Sequence, residues 1–195
     1  MKLQVLVLGL LMGPLIVEAS DLSCKVKGRG YLPFNSKTER FIGAGYLFEK
    51  GECHQALDTW RPLAQPLICS WAESGWNIYN AETGVALNSG AAIFLRFETC
   101  QTALKWSYET VCAPLGTGSG VFDLEHGYFV GAGFFYDVGD CGWATLSDAA
   151  QENLVCAPAD GFVSVFNRRY NRRVTSELFM TARQCYRQLS AGLVP

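Results

Sequence analysis

Phe41-Ile42-Gly43-Ala44-Gly45-Tyr46-Leu47-Phe48 and Phe129-Val130-Gly131-Ala132-Gly133-Phe134-Phe135-Tyr136 are two versions of one eight-residue pattern. Each ends a short fixed distance before a cysteine, and the cysteines extend the pattern to the whole chain. They stand at 24, 53, 69, 100, 112, 141, 156 and 185, and consecutive pairs are 29, 31, 29 and 29 positions apart. The gaps between pairs vary more, at 16, 12 and 15. Five to seven positions before the second cysteine of each pair stand Tyr46-Leu47-Phe48, Ile93-Phe94-Leu95, Phe134-Phe135-Tyr136 and Leu178-Phe179-Met180. Nine to eleven positions after the first stand Pro33-Phe34-Asn35, Ile78-Tyr79-Asn80, Val121-Phe122-Asp123 and Val165-Phe166-Asn167. A period of about 44 residues, repeated four times, is the signature of quasi-equivalent units that share a core.

Polar stretches at 36–40, 81–87, 124–128 and 168–172 separate the two apolar blocks and follow Asn or Asp, so they read as turns. Two β-rich runs joined by such a turn predict a hairpin, with the cysteines near its ends. On that basis the expected bridges are Cys24–Cys53, Cys69–Cys100, Cys112–Cys141 and Cys156–Cys185; the rival set spans the gaps, 53–69, 100–112 and 141–156, and closes 24 with 185. After each second cysteine the sequence turns helix-forming, as in His54-Gln55-Ala56-Leu57 and Gln101-Thr102-Ala103-Leu104. Pro62 and Pro66 limit the first such helix, and Gly192 and Pro195 the last. The small residues at Gly43, Gly45, Ala91, Ala92, Gly131 and Gly133 predict a bulge or a close helix approach, a feature the fourth copy replaces with Thr175-Ser176-Glu177.

The resulting expectation is an α+β fold of four tandem units, at approximately 24–68, 69–111, 112–155 and 156–195. Each is a disulfide-closed β-hairpin followed by a short helix, packed as one mainly antiparallel sheet with helices on one face. A closed four-fold ring is the alternative. Residues 1–19 read as a signal peptide, from Met1-Lys2 through an apolar run to small residues at Val17 and Ala19, with 20–195 as one domain. Secretion, or export to a periplasm, also suits an even cysteine count.

At 195 residues, 49% hydrophobic and 17% charged, the chain is neither disordered nor fibrous. A net charge of −2 encodes no global attraction to nucleic acid. No motif for a catalytic nucleophile, zinc site or nucleotide cradle is present: Gly116-Thr117-Gly118-Ser119-Gly120 lacks the lysine of a phosphate loop and reads as a flexible lead into the third hairpin. His54 has no evident ligand partners. His126 lies in Asp123-Leu124-Glu125-His126-Gly127 beside two carboxylates and is read as part of a solvated turn. Neither a cofactor nor a metal is expected.

The sharpest local anomaly is Arg168-Arg169-Tyr170-Asn171-Arg172-Arg173, four of the 16 basic residues within six positions, at a turn whose counterparts are not basic. Arg168, Arg169, Tyr170, Arg172 and Arg173 are therefore candidate ligands for an anionic protein or glycan, or for the acidic third turn. Trp76 joins them, because its repeat equivalents are Tyr31, Ser119 and Val163, and a position that accepts Ser is not expected in the deep core. Trp60, Trp71, Trp106 and Trp143 complete the aromatic set that stacking could use. The leading functional expectation is a secreted, disulfide-stabilised binding module. The alternative is a secreted hydrolase built from scattered carboxylates such as Glu49, Asp123, Glu125 and Asp137.

Overall fold

Each first cysteine lies on a strand and each second cysteine on a helix, and this fixes the architecture. The computed structural model describes residues 18–63, 65–88, 92–105, 107, 109–148 and 153–193. The first unit comprises β1 (Leu22–Lys27), β2 (Gly30–Asn35), β3 (Arg40–Phe41) and α1 (Lys50–Asp58); the second β4 (Leu67–Trp71), β5 (Trp76–Asn80) and α2 (Phe97–Lys105). The third has β6 (Thr110–Leu115), β7 (Gly118–Asp123), β8 (Tyr128–Phe129) and α3 (Val138–Asp148), and the fourth β9 (Leu154–Ala159), β10 (Phe162–Asn167), β11 (Arg172–Arg173) and α4 (Ala182–Ser190). The bridges are Cys24–Cys53, Cys69–Cys100, Cys112–Cys141 and Cys156–Cys185, with Cα separations of 5.8 to 6.0 Å. Each pins a helix across the first strand of its own unit. In the chain-entropy account a closed loop of this length contributes roughly 3 to 4 kcal/mol.

The tight hairpin turns fall at 28–29, 72–75, 116–117 and 160–161, before the polar stretches that the sequence marks as tips. Those later stretches instead lead from the second strand of a unit toward its bulky triplet. The Gly116-Thr117 pair is thus the third hairpin's own turn, with Gly116 at φ +59°. The triplet then returns alongside the second strand: Tyr31 with Leu47, Trp76 with Phe94, Ser119 with Phe135 and Val163 with Phe179 each exchange two backbone hydrogen bonds of 2.7 to 2.9 Å. The helices begin before the second cysteine, and at α1 and α4 the residue after the triplet caps the start. Glu49 forms a capping box with Glu52, and Thr181 Oγ1 accepts from Gln184 N at 3.3 Å.

The single antiparallel sheet is not formed, and neither is a closed barrel. There are four small antiparallel sheets, ordered β1-β2-β3, β4-β5, β6-β7-β8 and β11-β10-β9. The physical reason is that each pinned helix packs on the first strand of the next unit and the strands of successive units meet side by side without ladder pairing, so no shared ladder forms. Packing of whole elements joins successive units, as α2 on α3, α3 on α4 and β7 on β9. One apolar core runs through all four, from Leu47 through Ile78 and Val121 to Leu189.

The glycines in the opening octapeptides mark these junctions. Ala44 N donates to Trp71 O, and Ala132 N to Pro158 O, each at 2.8 Å. A Cβ on Gly43 would stand 2.6 Å from Trp71 O, and one on Gly131 would stand 2.5 Å from Pro158 O. A side chain would push the next unit's first strand away. In the fourth unit Thr175-Ser176-Glu177 occupies this place, and among the described residues no further strand packs there. Ala91, the leader up to residue 17 and Pro195 lie outside the described residues.

Candidate functional site

The last residue of each second strand, Asn35, Asn80, Asp123 or Asn167, folds the turn after it. Asn35 Oδ1 accepts from Lys37 N and Thr38 N, Asn80 Oδ1 from Glu82 N and Thr83 N, Asp123 Oδ1 from Glu125 N and His126 N, and Asn167 Oδ1 from Tyr170 N. These are side-chain-closed turns of the kind Asn and Asp favour. The next residue donates its N–H to the residue ahead of the unit's first strand, Ser36 to Asp21, Ala81 to Pro66, Leu124 to Glu109 and Arg168 to Asn153, and it is exposed in the first unit but turned inward in the other three.

Arg168 is therefore at an inward position. It is 3% exposed and does not belong to the outer basic patch, which corrects its assignment as an exposed ligand residue. Its Nη1 donates to Asp123 Oδ2 at 3.2 Å and to Glu125 Oε2 at 3.1 Å, and its Nη2 pairs with Glu109. Asp123 is itself fully buried. His126 Nδ1 lies 3.0 Å from Asp123 Oδ2 and 3.9 Å from Glu125 Oε2, so the turn is organised rather than merely solvated. Tyr128 Oη donates to Arg168 O, and burial followed by the Asp123 charge pushes the phenol above its ordinary value. The acidic third turn and the basic fourth turn thus meet inside one molecule.

Asp123, Glu125 and His126 offer ligand atoms within 4.8 Å of one another, a spacing a metal ion accepts. The Arg168 guanidinium already supplies the positive charge between these carboxylates, so the arrangement is an ion-pair clamp between the third and fourth units.

The remaining candidates stay outside. Arg169, Tyr170, Arg172 and Arg173 are all exposed, with the Arg169 guanidinium 5.8 Å from the Tyr170 ring centre. The turn that presents them is anchored by Asn171. Its Oδ1 accepts from Gly131 N at 2.8 Å, and its Nδ2 donates to Phe129 O at 3.2 Å. β11 pairs Arg172 with Asn167 and Arg173 with Phe166, so the two arginines leave an edge strand in alternating directions.

Trp76 is buried, contrary to its place among the binding candidates. It packs 5.6 Å from Trp71 and 4.7 Å from Phe97, ring centre to ring centre. The equivalent Ser119 and Val163 are buried too and Tyr31 is half-buried, because the returning triplet runs alongside this position. Trp143 stacks against Tyr186 under Arg183. Trp60 is half-buried, and Trp106 lies outside the described residues. His54 is exposed on α1. Of the scattered carboxylates, Asp123 and Glu125 converge on Arg168, whereas Glu49 and Asp137 stand at the starts of α1 and α3 in different units.

Glu109, the third carboxylate of the clamp, is the residue that the sequence candidates miss. Its signal is its repeat position, directly ahead of a first strand, where the backbone carbonyl receives the inward residue of its own unit's turn. No protein-family model, curated protein or solved structure matches this chain.

Proposed function

We propose that the protein is an exported binding module that engages an anionic protein or glycan surface through Arg169, Tyr170, Arg172 and Arg173. The observation that carries this reading is the division of labour within one basic run. Arg168 is consumed internally by three carboxylates, while the other three guanidinium groups are exposed on a turn held by Asn171. A pinned turn gives up less conformational freedom on binding than a loose one, so more of each weak contact survives as affinity. Four disulfides suit an oxidising, extracellular or periplasmic setting, and no helix among the described residues is long and apolar enough to cross a membrane. The leader at 1–19 and the single domain at 20–195 are part of the same proposal.

Exposed guanidinium contacts are worth about 0 to 1 kcal/mol each, so binding is expected to be salt-sensitive. The test is retention on a sulfated-glycan matrix and on a polyglutamate matrix across a salt gradient. The Arg169→Ser, Arg172→Ser, Arg173→Ser triple variant, which keeps Arg168, should elute at lower salt from at least one matrix with an unchanged melting temperature. Equal retention on both would reject the reading.

A further inference from the structure

Leu95, Tyr136 and Met180 are 84%, 87% and 74% exposed, and with Phe48 of the first unit, 76% exposed, they occupy one repeat position, the last residue of the returning triplet. The first three form a continuous row. Leu95 and Tyr136 both line a groove of about 600 Å³, together with the third hairpin's turn and the start of β7 at 116–119. Tyr136 and Met180 both line a second groove, of about 400 Å³, together with Pro158, Gly161 of the fourth hairpin's turn and the start of β10 at 162–163. Ridge, groove, ridge, groove and ridge thus alternate across the second, third and fourth units. Scattered exposed apolar residues are ordinary, but a contiguous ridge of three large side chains at equivalent places marks an interaction surface.

The charges along the row are unequal. Arg96 lines the first groove, while Asp137 and Asp140 line the second. Burial and the neighbouring Asp137 raise the Asp140 carboxyl above its ordinary range, as expected of two like charges held close together. A two-fold axis through Tyr136 lays the first groove of one molecule over the second groove of another. Arg96 then faces Asp137 and Asp140 of the second copy, and Leu95 meets Met180. The charges lining the two grooves are complementary in this antiparallel sense, and the apolar ridge side chains meet one another along the seam. Burying three large, mostly exposed side chains from each copy together with the groove walls between them is on the scale of the roughly 1,000 Å² that a specific interface requires.

We infer that this protein forms an isologous homodimer through the Leu95–Tyr136–Met180 face, with Arg96 of each copy set against Asp137 and Asp140 of the other. A two-fold contact of this kind closes on itself and does not propagate into fibres. It also leaves the basic turn at 169–173 available, because that turn lies at the opposite end of β10 from the second groove.

The test is sedimentation velocity of the full disulfide-bonded protein from micromolar to hundreds of micromolar. The wild type should move from monomer to dimer as concentration rises. Tyr136→Arg, which places like charges on the axis, should remain monomeric with unchanged circular dichroism and melting temperature. Arg96→Asp should weaken dimerisation at least tenfold, and combining it with Asp137→Arg should restore most of the loss. Leu95→Glu provides a second exposed disruption should Asp137→Arg disturb the start of α3. A wild type that stays monomeric throughout would overturn the inference, as would a dimer indifferent to Tyr136→Arg and Leu95→Glu. Loss in Arg96→Asp with no recovery in the double variant would overturn the antiparallel arrangement.

Discussion

Asp123 Oδ2 receives Arg168 Nη1 at 3.2 Å at the same repeat position where Asn35 Nδ2 donates to Ala81 O at 2.8 Å. In both places the free side-chain atom of a turn-closing residue reaches the inward residue of the next unit. An amide can give a hydrogen bond to a backbone carbonyl, whereas a carboxylate cannot and requires a donor. The Asp at 123 therefore goes with a cation at 168, and the small Ala81 goes with an Asn at 35. The two junctions are alternative solutions to one geometric problem, one neutral and one charged.

Removing one member of the charged solution should be costly. Arg168→Ala leaves the buried Asp123 carboxylate without its cation, and the expected loss is about 3 to 5 kcal/mol. Asp123→Asn with Arg168→Ala installs the Asn–Ala combination of the first junction and should recover more than half of that loss, with Glu109 and Glu125 free to hydrate. Urea unfolding of the wild type and both variants measures this. A double variant no more stable than Arg168→Ala alone would show that the two junctions are not interchangeable.

Much of the fold is legible in the cysteine intervals and in the two octapeptides. The bridges are the first of the two pairings that the spacing offers, and Gly43 and Gly131 do mark a close approach, although to the first strand of the next unit and not to a helix. The arrangement of the sheets is not legible, because the patterns of apolar residues specify which side of a strand is buried and not which neighbour covers it. Trp76 shows the same gap: Ser at 119 is buried by its place under a returning backbone, not by its own chemistry. Arg168 could have been read from the column Ser36, Ala81, Leu124, Arg168, where two members are apolar. Charge density in the run 168–173 hid that column, since a repeat position is set by the backbone and a charge run is perceived along the sequence.

The four bridges should open in order of access. Cys24 is partly exposed on β1, whereas Cys69, Cys112 and Cys156 and all four helical partners are fully buried. Thiol attack needs a line of approach to a sulfur, so limited reduction should open Cys24–Cys53 first. Alkylation of native protein followed by peptide mapping should label Cys24 and Cys53 before any other cysteine. Earlier labelling of Cys112 or Cys141 would contradict the assigned burial.

Asp140 gives a pH dependence with a definite sign. Its folded-state carboxyl is raised by burial and by Asp137, so the folded state holds the proton more tightly than the unfolded chain does. Stability associated with this group is present in acid and is lost as pH rises through the ordinary aspartate range to the raised value. Asp140→Asn should therefore be slightly more stable than wild type at pH 7 and equal to it near pH 3, where both side chains are neutral. Unfolding at the two pH values, at protein concentrations low enough to keep the chain monomeric, decides the matter; a variant less stable at pH 7 than at pH 3, relative to wild type, would exclude it.

Asn171 is the residue on which the rigidity of the basic turn depends. It sits at φ +47°, and its amide spans the junction to Gly131 N and Phe129 O in the third unit. Asn171→Ala removes both side-chain bonds and places an alanine in a left-handed conformation it adopts poorly, at an expected cost of about 1 to 2 kcal/mol. Asn171→Gly removes the same bonds but tolerates the dihedral, so the difference between the two variants isolates the backbone contribution. Both should loosen the turn, seen as faster hydrogen exchange at the amides of Tyr170 and Gly131, while Arg169, Arg172 and Arg173 remain in place. If affinity for a polyanion depends on presenting these groups together, both variants should elute earlier from that matrix than wild type, with Asn171→Gly doing so despite its smaller stability loss. Faster exchange with unchanged elution would mean that the charges act as a diffuse field and that the order of the turn contributes nothing to binding.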